Sequence, residues 1–166
     1  MRHTWIISLI IIAGVAVGGL LYLYGGASFQ RSSLEAKPTQ GFTEISRGVN
    51  AGGITERVNY RITNADDFVQ LWQLVYGSNG PVVPGVDFSK YEVLAVFDGS
   101  HTTDGYDVAV ESVRDTGGQR VIMINHMEPG SSCSPQSAVS NPFVIVRVSR
   151  SVLPITHDEK TVDTPC

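Results

Sequence analysis

Residues Trp5 to Tyr24 run WIISLIIIAGVAVGGLLYLY, 20 residues without one charged side chain. A helix rises about 1.5 Å per residue, so a run of this length matches a hydrocarbon core about 30 Å thick. Trp5 stands at one end, and Tyr22 and Tyr24 at the other. Such amphipathic rings favour the headgroup zone. The segment is therefore expected to be a single transmembrane helix over residues 5–24, after a tail of residues 1–4. Arg2 lies before it and Arg31 and Lys37 after it, so the basic residues nearly balance. A very short tail followed by a domain favours the tail inside and the domain outside, at the cell membrane. The competing reading is a cleaved signal peptide, with Gly25 and Ala27 as the small residues of the cleavage site. The apolar run is longer than the ~7–15 residues of a typical signal core, which favours an uncleaved anchor. Both readings put the domain on the extracytoplasmic side. Gly14 and Gly18 form a G-x-x-x-G pair, which is too common in membrane helices to argue dimerisation.

Residues 25–41 are small and polar without apolar periodicity, and read as a linker. The domain is expected over residues 42–166. Net charge is −4 and no basic run occurs, so nothing supports a nucleic-acid role, which needs clustered Lys and Arg.

Within the domain, strands are expected over residues 42–47 and 54–62, with a turn at Asn50-Ala51-Gly52-Gly53 between them. A helix follows. Thr63 or Asn64 can cap it, Asp66 and Asp67 suit its first turn, and Phe68, Leu71, Trp72 and Val75 form one apolar stripe. The three Gly and two Pro of residues 77–85 end it near Tyr76. Tyr91 to Phe97 is almost continuously apolar, which predicts a central strand covered on both faces. Residues 106–113 alternate, Gly117-Gly118 supplies a hairpin turn, and residues 120–127 return. Residues 143–148 make a further strand, which Val152 to Thr156 would extend. The expected class is α+β: a mainly antiparallel β-sheet, or a compact sandwich, with one covering helix.

Chemistry is sparse. Gly130-Ser131-Ser132-Cys133-Ser134 is not a G-x-S-x-G elbow and does not join a strand to a helix. A hydrolase would have to use Ser132 or Ser134 with His126 or His101, residues that meet only in space; the simpler expectation is no catalytic residue. His101, His126, Cys133 and His157 show no zinc-ligand spacing, so no metal is expected. In an oxidising compartment Cys133 and Cys166 would form a disulfide tying the end of the sequence to the loop before Phe143. The polar loops 99–105 and 129–142 would flank the end of a rigid sheet. His101, Thr103, Asp104 and Tyr106 are the candidate partner-binding residues.

The order of features over residues 46–148 resembles the PrcB C-terminal domain family, named for an accessory subunit of a bacterial surface protease complex. The resembling pieces begin with Ser46-Arg47-Gly48, Gly53-Ile54-Thr55-Glu56 and the helix Asp66-Asp67-Phe68-Val69-Gln70-Leu71-Trp72. They continue with Val86-Asp87-Phe88-Ser89, then Gly99 with Thr103-Asp104-Gly105-Tyr106-Asp107-Val108, and end with Pro129-Gly130 and Asn141-Pro142-Phe143. Where the family has two glycines before the Tyr, this chain has Asp104-Gly105. The resemblance implies a non-catalytic accessory or stabilising module of the cell envelope, without a cofactor, whose partner is an envelope protein, with a protease among the candidates.

Overall fold

The computed structural model describes residues 41–166. The expected anchor, its cleaved alternative and most of the linker lie outside them. Among the described residues, no helix is long and apolar enough to cross a membrane.

The described residues form seven strands and one helix in the order β1 (Thr43–Gly48), β2 (Arg57–Ile62), α1 (Ala65–Tyr76), β3 (Tyr91–Asp98), β4 (Asp107–Thr116), β5 (Gln119–Pro129), β6 (Phe143–Ser149) and β7 (Ile155–Thr164). They form three layers. The middle layer is an antiparallel sheet in the order β1-β6-β3-β2, and the outer sheet runs β4-β5-β7. The helix covers the other face of the middle sheet.

The apolar runs YEVLAVF and FVIVRV follow from that layering. On β3, Val93, Ala95 and Phe97 pack with Phe68, Leu71, Trp72 and Val75 of α1, while Leu94 and Val96 turn the other way. There, with Val144, Val146 and Val148 of β6, they meet Val108, Val110, Val113, Ile122 and Ile124 of the outer sheet. A strand with apolar partners on both faces has no reason to alternate in polarity. β4 faces the core on one side only and alternates until a bulge between Val110 and Ser112 shifts the register, which turns Val113 inward.

The helix cap is Asn64, whose side chain accepts from the Asp67 N–H. The expected second strand starts late. Gly52 N–H and Gly53 N–H donate to the Val75 and Leu74 carbonyls at 3.0 and 2.8 Å, so residues 51–54 close the end of α1 rather than extend β2. A Cβ on Gly53 would sit 2.7 Å from the Leu74 oxygen, which only glycine avoids.

Two expectations need correction. The two strands expected on either side of the turn at residues 50–53 do not pair with each other: β1 pairs with β6 and β2 with β3, leaving β4–β5 as the hairpin, turned by Gly117 and Gly118 at φ 58 and 80. Residues 152–156 do not extend β6. The chain crosses to the outer sheet, and Ile155–Thr164 runs parallel to β5 over ten paired positions. Its side chains (ITHDEKTVDT) are nearly all exposed, so no apolar period marks it in the sequence.

Candidate functional site

The acid Asp98 ends β3, where the chain bends at Gly99 (φ 85), whose Cβ would come 3.0 Å from the Arg57 nitrogen. The side chain is 1% exposed. A carboxylate this buried needs partners for both oxygens, and it has them. Oδ1 lies 2.7 Å from Arg57 Nη2 and 2.5 Å from His126 Nδ1, and Oδ2 lies 2.7 Å from His101 Nε2. Burial alone would raise its pKa. The bonds from His126 and His101 and the Arg57 charge outweigh that and hold it below the ordinary carboxylate value.

His126 sits on the inward side of β5, two residues beyond Ile124 and four beyond Ile122. Its second ring nitrogen lies 3.2 Å from Glu159 Oε2 on β7, and Glu159 Oε1 accepts from Asn59 Nδ2 at 3.0 Å. One imidazole thus joins β3 to β7 across the two sheets.

His101 carries the cluster into the loops. It exchanges backbone hydrogen bonds with Ser140 at 2.8 and 3.0 Å, and its ring stacks on Tyr106 with centroids 3.7 Å apart at 8°. Ser140 Oγ donates to the Thr103 carbonyl at 2.9 Å. Asp104 Oδ1 accepts from the Gln136 N–H at 2.7 Å, and the Asp104 N–H donates to the Gln136 carbonyl at 3.1 Å. Asp104, the departure from the two-glycine pattern, therefore fastens one loop to the other. Gly105 next to it has φ 91, and a Cβ there would come 3.2 Å from Pro129. Below, Cys133 and Cys166 are disulfide-bonded and tie loop 130–142 to the end of β7.

All four candidate partner-binding residues are therefore brought together, and each is already engaged within the domain. His101 and Tyr106 stack, Thr103 offers its carbonyl to Ser140, and Asp104 holds Gln136. Thr102, Ser137, Ala138 and Val139 are exposed around them. The serines of the hydrolase reading go elsewhere. Ser132 Oγ contacts Cys166 Sγ at 3.7 Å and Ser134 lines a cleft beside the disulfide, while both ring nitrogens of His126 face carboxylates. Among the described residues, no hydrogen bond joins Ser132 or Ser134 to His101 or His126. His157 lies on the exposed run of β7. Among the described residues, no group of three or more His, Cys, Asp or Glu is arranged to hold a metal ion.

The sequence reasoning missed Asp98, Arg57 and Glu159. One signal was available: His126 has the same parity as Ile122 and Ile124, so a titratable ring had to point into the core and needed a buried partner. Glu159 carried no comparable signal, because β7 has no pattern.

The family described as PrcB C-terminal matches residues 93–149, from β3 through β6. The matched stretch contains Asp98, His101, Tyr106, His126 and both loops. The first-turn and helix motifs, which also carried the resemblance, lie outside it. No curated protein and no solved structure matches the chain.

Proposed function

We propose, on the premise that residues 93–149 belong to the PrcB C-terminal family, that this chain is a non-catalytic accessory module of the cell envelope. It is held at the membrane by residues 5–24, with its domain on the extracytoplasmic side. Its task is to bind a protein partner, and the family's name makes a protease complex the first class of partner to test.

One observation supports a binding role most directly: loops 99–106 and 130–142 are hydrogen-bonded to each other through His101–Ser140 and Asp104–Gln136. Recognition surfaces are commonly loops held by a rigid scaffold. Preorganised loops lose less freedom on binding than free ones. In this reading His101, Thr103, Asp104 and Tyr106 shape the surface. The contacts come from the exposed residues around them, with Val139 (68% exposed) as the apolar centre.

The test is crosslinking and capture from native membranes with the full-length protein. Val139→Asp together with Thr102→Asp alters the surface while touching no internal bond described above, and capture should fall at least tenfold. Capture that matches the parent protein would overturn the loop assignment.

A further inference from the structure

Strand β7 is attached in an unusual way. Of its ten residues only Ile155 and Thr164 are even half-buried, and Ile155, at its first position, packs against the inter-sheet core. Apolar burial is the main favourable term in docking an element, and residues 156–163 contribute almost none. What holds them is a backbone ladder to β5, the Thr156 hydroxyl on Gln119 Oε1, the contacts of Glu159 with His126 and Asn59, and a surface pair between Lys160 and Glu111. At the far end the strand is closed by the Gly130 N–H on the Thr164 carbonyl, the Thr164 hydroxyl on the Glu128 carbonyl, and the Cys133–Cys166 disulfide. A covalent bond therefore fastens the end of the strand that lacks an apolar anchor.

That bond is open to attack. Cys166 is exposed and Cys133 half-buried, and both line a cleft of about 290 Å³ with Gly105, Pro129, Ser134 and Pro165. Disulfide exchange requires access of a thiolate to one sulfur along with a second thiolate to resolve the product.

We propose that Cys133–Cys166 is a redox latch on β7, cleaved by a dithiol reductant, and that its cleavage releases the strand from the edge of β5. A reductant thiolate attacks Cys166 Sγ and forms a mixed disulfide. The Cys133–Cys166 bond breaks and its electron pair leaves on Cys133. The reductant's second thiolate then attacks its own sulfur in the mixed disulfide. Cys166 departs as a thiolate, and the reductant becomes a disulfide. Two electrons pass from the dithiol to the cysteine pair, which takes up two protons. Without the bond, β7 frays from Thr164 back toward Glu159. His126 then loses its Glu159 contact, and the main-chain edge of β5 is bared. Re-oxidation closes the strand again.

Hydrogen exchange on the full-length protein, read with and without dithiothreitol under native conditions, tests this, with mass analysis to count reduced thiols. The expected result is complete reduction of the pair without denaturant. Amides of residues 158–164 should exchange about a hundredfold faster, while those of β3 and β6 keep their protection. Cys133→Ser with Cys166→Ser should reproduce that pattern with no reductant present. If this variant does not fold, the dithiothreitol arm on the parent protein stands alone. A pair that resists dithiothreitol until the protein is unfolded overturns the latch. So does unchanged exchange at β7, or an equal acceleration in β3 and β6.

Discussion

Strand β3 carries a buried carboxylate near each end, Glu92 at its second residue and Asp98 at its last, and the two are neutralised by different chemistry. Among the described residues Glu92 is met by guanidinium groups alone, with Arg120 Nη1 at 2.7 Å and Arg61 Nη2 at 2.8 Å. Arg120 is itself wholly buried and also holds Asp115 at 2.8 Å and the Ser149 carbonyl at 2.7 Å. Burial disfavours its charge, but Asp115 and Glu92 outweigh that and raise its pKa further. Arg61 continues the network to the Leu153 and Ser151 carbonyls, fixing the crossover between β6 and β7. Guanidinium stays charged at any pH a protein meets. Asp98 instead is shared between one guanidinium and two imidazole rings. The Glu92 end secures the framework. The Asp98 end sits beneath both candidate loops and touches β7, so what happens to it reaches the surface.

The largest effect that would sharpen this contrast is at Arg120. Arg120→Ala leaves Glu92 in the core facing one remaining guanidinium. Breaking a buried pair costs about 3–5 kcal/mol, and a urea titration should show a loss in that range. A loss below about 1 kcal/mol would mean that Glu92 is not a structural acid.

His126→Ala comes next. It strips Asp98 of one partner and Glu159 of another, and is expected to cost about 2–3 kcal/mol. Unlike Arg120→Ala, it should also loosen the loops, seen as faster exchange at His101 and Ser140. Loss of stability with those amides unchanged would break the proposed link between cluster and loops.

The smallest expected effect is on pH dependence. Asp98 has a folded pKa below its ordinary value. Its stabilisation is therefore complete above that ordinary value, about 4, and is lost as pH falls through the lower folded value. Asp98→Asn removes this term. Between pH 7 and pH 3 the parent protein should lose more stability than the variant, as measured by the shift in denaturation midpoint. Equal losses would show that the acid is not held ionised by its partners.

Much of the framework was legible in the residues, and the reasons are particular. Phe68, Leu71, Trp72 and Val75 mark a helix stripe because a helix repeats every ~3.6 residues. YEVLAVF marks a doubly covered strand because apolar residues fall on both parities. Gly117-Gly118 marks a hairpin because both positions need positive φ. The loops that carry the candidate site were recognisable by their Gly, Ser, Pro and His content. The acid beneath them, Asp98, was not, whereas Glu92 at the other end of β3, within an apolar run, was a sign of a buried partner.

The sequence by itself determined the α+β class, the helix, the central strands, the cysteine pair and the PrcB-like order of motifs, because each rests on local periodicity or on residue type. Only the tertiary structure decided which strands share a sheet, that β7 runs parallel to β5, that Asp98 gathers Arg57, His101 and His126, and that Asp104 binds one loop to the other. The pairings of Asp98 with His126 and Arg57 span 28 and 41 positions of sequence. Polar groups at such separations carry no pattern that announces a partner, and burial alone makes them find one.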